Sequence, residues 1–231
     1  MPIKVKVDGT WRIVADAKPP KLGDIYGGGI FIGTFDDDYY LIAAEQKYHV
    51  DNSSGSGNYF NKGYMSWSSS NYTTTGADDS DDGLYNCQMI DNYINNSSAT
   101  YDNFPAFNYI KNFMNGGTGV NGYTDWYMPS YEELIFILKN CRWFPRRTNI
   151  PFTPLDSDKG YWSSTEYSSS IAYDSPYTSK YVKHRRYWFG YGYYYEHFNK
   201  YWGYGGHNYN SGITSYKNKL QGIIPVRKID I

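Results

Sequence analysis

The chain has 231 residues, a length that suits one domain of generous size or one domain with a short appendage. Hydrophobic residues make up 40% and charged residues 19%, enough apolar material to bury a core, which argues against global disorder. The formal net charge is -1, so there is no electrostatic case for wrapping nucleic acid or docking on an anionic membrane.

No apolar run approaches the ~20 residues needed to span a bilayer, so no membrane insertion is expected. The opening stretch MPIKVKVDG lacks the apolar core of a signal peptide, and the expectation is synthesis in a cytoplasm. Two cysteines, Cys87 and Cys141, cannot build a disulfide framework, and no CxxC or HExxH spacing occurs. The unusual feature is tyrosine: 28 residues, with all aromatics at 20%. Tyr in excess alongside Gly, Ser and Asn is the composition of adaptable recognition surfaces. The composition points to a binder.

Residues 1–20 read as a separate unit. Ile3-Lys4-Val5-Lys6-Val7 alternates apolar and basic residues, Asp8-Gly9 is a two-residue turn, and Trp11-Arg12-Ile13-Val14 continues as a strand. Lys18-Pro19-Pro20 then breaks the pattern as a linker. A lone hairpin is marginal in water, so this one is expected to pack against something else.

Residues 21–231 are read as the main domain. Gly27-Gly28-Gly29 leads into Ile30-Phe31-Ile32, and after Asp36-Asp37-Asp38 come Tyr39-Tyr40-Leu41-Ile42-Ala43-Ala44, a hairpin of buried strands. Ser, Asn, Gly, Thr and Asp dominate 51–82, which predicts a long surface loop. Leu84, Cys87, Ile90 and Ile94 share a helical face, and a second helix is expected over Phe104–Met114. Ser130 and Glu133 have capping-box spacing after Pro129, with Leu134, Ile137 and Leu138 as the buried stripe that follows. Past residue 160 helical periodicity ends. Strands are expected at Tyr161–Ser164 and Ile223–Arg227, giving an α+β plan with small sheets, two or three helices and long loops.

Four segments resemble the Lcl C-terminal-like domain family. They are Gly23-Asp24-Ile25-Tyr26-Gly27-Gly28-Gly29-Ile30-Phe31 with Leu41-Ile42-Ala43-Ala44; Gly122-Tyr123-Thr124-Asp125-Trp126-Tyr127-Met128-Pro129-Ser130 with Glu132-Glu133-Leu134; Tyr161-Trp162-Ser163-Ser164-Thr165-Glu166-Tyr167; and Pro225-Val226-Arg227. They stand in the family's order across residues 22–229. The resemblance implies a C-type-lectin-like fold of small twisted antiparallel sheets, of the kind found in collagen-like adhesins, phage tail-fibre tips and retroelement-diversified binders. It also implies that the final third carries the ligand surface. Val5-Lys6-Val7-Asp8-Gly9-Thr10-Trp11-Arg12 is similar to short segments near the ends of phage virion proteins. The chain departs from the family pattern in a long aromatic insertion at about 180–216.

Within that insertion the candidate ligand-binding residues are Tyr187, Trp188, Tyr191, Tyr193, Tyr194, Tyr195, His197, Tyr201, Trp202, Tyr204, His207 and Asn208. Flat rings stack on the apolar faces of sugars, while phenol, imidazole and amide groups read hydroxyls. The plainer alternative is that these rings fill a core or a subunit interface. Asp78-Asp79-Ser80-Asp81-Asp82 has the hard oxygens calcium takes but not the spacing of an EF-hand, and reads as a solvated loop before a helix. Glu166 lacks an identifiable carboxylate partner for glycoside hydrolysis, and the four histidines show no convincing metal spacing. No catalytic residue, metal or cofactor is expected.

The functional expectation is a virion-associated recognition protein, a phage tail-fibre or surface adhesin module binding a host glycan or surface protein non-covalently. Residues 1–20 would engage other virion subunits, and a homo-oligomer is expected. The alternatives are a capsid or tail decoration protein whose aromatics mediate assembly, and a retroelement-diversified bacterial binder.

Overall fold

Three consecutive aspartates after an apolar run dictate a tight turn. Asp36 and Asp37 take φ of 50° and 60°, a left-handed conformation that Asp tolerates better than most residues. The Asp38 N–H closes the turn on the Phe35 carbonyl at 3.1 Å. The computed structural model describes residues 2–7, 10–16, 19–50, 64–69, 73–141, 160–174, 179–184, 194–199 and 214–231.

The first half carries β1 (Pro2–Val7), β2 (Thr10–Asp16), β3 (Ile25–Tyr26), β4 (Gly29–Phe35), β5 (Tyr39–Ala43), β6 (Met65–Ser66) and helix α1 (Gly83–Asn95). A short helix, α2 (Pro105–Asn108), runs directly into a π-helical turn at Tyr109–Met114, and α3 (Tyr131–Cys141) follows. The second half carries β7 (Trp162–Glu166), β8 (Ile171–Asp174), β9 (Ser179–His184), β10 (Tyr194–Asn199), β11 (Thr214–Tyr216), β12 (Leu220–Gln221) and β13 (Val226–Asp230). The chain is therefore mixed α+β with small antiparallel sheets. Their orders are β13-β5-β4-β3, β11-β8-β7 and β12-β6, with β1-β2 and β9-β10 as two-stranded ribbons. No helix among the described residues is long and apolar enough to cross a membrane.

Helix α3 packs on the four-stranded sheet. Leu134, Ile137 and Leu138 meet Ile30, Ile32, Leu41 and Ala43 in one apolar cluster that also takes in Tyr127, Ile224 and Val226. Gly33 makes the close approach possible: it sits at a register shift in β4 with φ of +145°, and a Cβ there would lie 2.9 Å from the Phe136 ring. A second cluster joins α1 and α2 to Trp67, Trp126 and Trp162. Within it, Phe107 stands edge-on to Trp67 at 5.0 Å between ring centres.

Several expectations shift in detail. The segment 51–82 is not simply a surface loop, because Trp67, Ser68, Thr75 and Ala77 within it are buried. Low-complexity flanks hide a segment that fills the core with one large ring. The second helix divides into α2 and the π-helical turn, where Asn115 N–H reaches back five residues to the Ile110 carbonyl. The closing strand lies later than expected, at Val226–Asp230, while Ile223 is buried and bridges Val50.

The expected capping box is present. Ser130 N–H donates to Glu133 Oε2 at 2.8 Å, and Glu133 N–H donates to Ser130 Oγ at 3.2 Å. The carboxylate does more than cap. The Tyr39 and Tyr127 hydroxyls donate to its Oε1 at 2.7 and 2.6 Å, and Gly83 N–H at the start of α1 donates to Oε2 at 3.2 Å. Glu133 is fully buried, and burial pushes its carboxyl above the ordinary range while the Tyr127, Tyr39 and Ser130 donors pull it back. Removing it strands up to four donors, each costing roughly 1–3 kcal/mol where water cannot replace the acceptor. Glu133→Ala is expected to lower unfolding free energy by about 3 kcal/mol or more. Glu133→Gln, which keeps one accepting oxygen, should cost clearly less. Urea denaturation of both variants checks this, and equal or negligible losses would refute the four-donor account.

Candidate functional site

The aromatic insertion leaves and re-enters the domain at adjacent points. Residues 175–213 follow the last residue of β8 and precede the first of β11, and these strands pair with Tyr173 opposite Thr214. Within the excursion β9 and β10 form an antiparallel ribbon from Ser179 opposite Asn199 to His184 opposite Tyr194. Residues 175–213 are termed the arm, and both of their ends meet at the β8–β11 pair. Of the candidate residues, Tyr194, Tyr195 and His197 lie on β10, opposite His184, Lys183 and Tyr181. Tyr187, Trp188, Tyr191, Tyr193, Tyr201, Trp202, Tyr204, His207 and Asn208 lie outside the described residues.

Two buried polar clusters hold the base of the arm. In the first, Asp174 at the end of β8 accepts on Oδ2 from Ser215 Oγ and from Gln221 Nε2, each at 2.8 Å. Gln221 Oε1 in turn accepts from Gly160 N–H at 2.7 Å, so β8, β11, β12 and the entry to β7 meet around one carboxylate. Burial pushes the Asp174 carboxyl up to about 6, against the Ser215 hydrogen bond and the nearby Lys219 charge.

In the second cluster, Glu166 at the end of β7 is paired with Lys217 in the turn after β11, and both side chains are buried. Lys217 Nζ also donates to the Thr73 carbonyl at 2.6 Å and sits 4.4 Å from the centre of the Trp67 ring. Burial lowers the Lys217 pKa, and the Glu166 partner opposes that. The other Glu166 oxygen accepts from Thr75 N–H and Thr75 Oγ1, both at 2.9 Å. Glu166, weighed above as a hydrolytic carboxylate, is thus committed to a buried ion pair.

The outer face of the same sheet is aromatic. β8 alternates, with Ala172 and Asp174 buried and Ile171 and Tyr173 partly open, while Tyr216 stands opposite Ile171 on β11. Tyr173 packs against Tyr131 with ring centres 4.7 Å apart and takes Tyr167 edge-on at 5.3 Å. Tyr167 and Tyr216 are 60% and 57% exposed, the two most open aromatic side chains among the described residues. None of these four was among the candidates. The alternation of Ile171-Ala172-Tyr173-Asp174 was the available signal, short and next to a far louder aromatic run.

The segments that carry the family resemblance meet in the scaffold instead. Arg227 makes two hydrogen bonds to Asp125, at 2.8 and 2.7 Å, donates to the Gly27 carbonyl at 2.5 Å and lies 3.8 Å from the Tyr123 ring centre. Asp82 caps α1 by accepting from Tyr85 N–H at 3.0 Å, and Asp79 Oδ1 accepts from the Asp81 and Asp82 N–H groups at 2.8 Å each. The acidic run is turn and cap. Cys87 is free, and burial pushes its thiol up to about 12. No family model, curated protein or solved structure matches the chain.

The clamp around Asp174 makes stability pH-dependent. Its carboxyl titrates near 6 in the fold but starts from 3.8, so between these values the folded state holds the extra proton. That contribution is full below about pH 4 and is lost as pH rises through 6. Asp174→Asn is expected to flatten the fall of unfolding free energy between pH 4 and pH 7, measured by urea titration at several pH values. An unchanged slope in the variant would show that Asp174 is not the group responsible.

Proposed function

We propose that this chain is a non-covalent recognition module with a C-type-lectin-like fold, carried on a virion as a tail-fibre or surface adhesin. It would bind a host glycan or surface protein through the Tyr/Gly-rich arm. The observation that carries the reading is the arm's geometry: residues 175–213 start and finish on paired strands above two buried polar clusters. A recognition loop works when its ends are fixed and its sequence is not needed by the core. Here the core-facing side chains of β7, β8 and β11 are buried, and the arm's sequence is rich in rings and hydrogen-bonding groups.

The convergence of Gly27, Asp125 and Arg227 also favours the lectin-like assignment. These positions come from three of the resembling segments, and the reading requires such segments to be structural. Single sites of this kind bind weakly, and several copies on one particle would raise avidity by roughly 10²–10⁴. Residues 1–20 would supply the attachment to other subunits.

Alanine substitutions at Tyr194, Tyr201 and Trp202 test the arm. Loss of one well-placed ring should cost on the order of 1–2 kcal/mol of binding, about tenfold in affinity, with the melting temperature unchanged. Glycan-array and whole-cell binding of the full chain give the readout, with assembly scored in parallel for these variants and for a chain lacking residues 1–20. Binding lost with assembly kept supports the adhesin. Assembly lost with binding kept hands the case to the decoration-protein alternative.

A further inference from the structure

Tyr167 and Tyr216 rise on either side of β8. The Tyr167 N–H donates to the Ile171 carbonyl at 2.9 Å, and Tyr216 is the cross-strand partner of Ile171 on the opposite side. Ile171 and Tyr173 lie between them on the same outward face, with the Tyr173 ring in contact with the rings of Tyr131 and Tyr167. This register outlines a trough, with one aromatic residue on each side of β8 and one aliphatic and one phenol side chain between them.

The width follows from sheet geometry. The backbones flanking β8 are two strand spacings apart, about 9.5 Å. A ring held between two aromatic faces needs two van der Waals separations, roughly 7–8 Å. A pyranose fits that gap with its C–H faces on the rings and its hydroxyls directed outward.

Charge narrows the ligand. Tyr131, Tyr167, Ile171, Tyr173, Thr214 and Tyr216 are all uncharged. The neighbouring Glu132 belongs to a different hollow, lined by Phe35, Asp36, Ser80, Asp81 and Phe136. Lys219 reaches the inner side of the sheet, 3.5 Å from the Ser215 hydroxyl. Among the described residues a charged peptide finds no partner in the trough, and a sheet face offers an extended peptide no backbone hydrogen bonds as a sheet edge would. Phenol hydroxyls at the rim suit a neutral polyhydroxylated ring.

We propose that the trough between Tyr167 and Tyr216 is a subsite for one neutral sugar ring of the ligand, placed on the rigid scaffold at the foot of the arm. The proposal rests on the recognition reading above and commits it to a saccharide.

The test is saturation-transfer NMR on the full chain with the methyl glycosides of glucose, galactose, mannose, rhamnose and N-acetylglucosamine, each up to about 20 mM. At least one is expected to receive saturation, with its ring C–H protons strongest. Tyr167→Ala combined with Tyr216→Ala should weaken that binding at least tenfold, and Tyr167→Phe should retain it, since the ring face does the work. Circular dichroism confirms that the double variant folds, and Tyr216→Ala alone serves if it does not. No response from any glycoside, or a response indifferent to the double substitution, overturns the subsite. If arm substitutions abolish cell binding while the glycosides stay silent, the arm reading stands and only the subsite falls. Cell binding that needs Tyr167 but is indifferent to every glycoside would identify a protein ligand and refute the saccharide claim.

Discussion

The scaffold depends on a carboxylate that water does not reach. Glu133 draws donors from β5, from Tyr127 where it bridges β13, from the α3 cap and from the first residue of α1, so one side chain fixes the relative positions of a sheet and two helices. Gly83 has no side chain because there is no room for one: a Cβ would stand 2.5 Å from the Met128 carbonyl and 2.7 Å from Glu133 Oε2. A buried acceptor with every oxygen occupied is rigid, because any displacement leaves a donor without a partner. The same constraint raises the pKa of the Tyr127 hydroxyl, first through burial and then through the Glu133 charge.

From that centre the chain builds outward in order of decreasing constraint. The Arg227–Asp125 pair ties the last strand to the approach to α3. The Glu166–Lys217 pair and the Asp174 cluster then secure the strands from which the arm departs. Buried ion pairs contribute little net stability against an apolar replacement, but breaking one half leaves an uncompensated charge. Their value here is positional. They hold β7, β8 and β11 in one arrangement.

What the sequence made legible was local. Ser130 and Glu133 are three residues apart and announce a helix start, and three aspartates between apolar runs announce a turn. The α+β plan with small sheets followed from the same kind of reading. The distant partners of Glu133 were not legible, because Tyr39 lies 94 residues away in sequence. Nothing near Lys217 indicates that its ammonium ends buried beside Glu166, 51 residues earlier, and Trp67 looked like part of a polar loop because its neighbours are polar. For the site, composition drew attention to the arm, while the tyrosines of the sheet face became visible only through the register of β8 with β11.

The proposed division between a scaffold and a recognition arm at residues 175–213 is tested by one excision. Replacing residues 175–213 by Asn-Gly-Thr extends the Tyr173–Thr214 pairing by one step, with the new Thr opposite Asp174 across a two-residue Asn-Gly turn. Melting temperature and cell-surface binding are then measured on the same preparation. The account predicts a cooperative transition within a few degrees of the full chain and binding to cells reduced at least tenfold. A shortened chain that fails to fold, or one that folds and binds as well as the original, would contradict it.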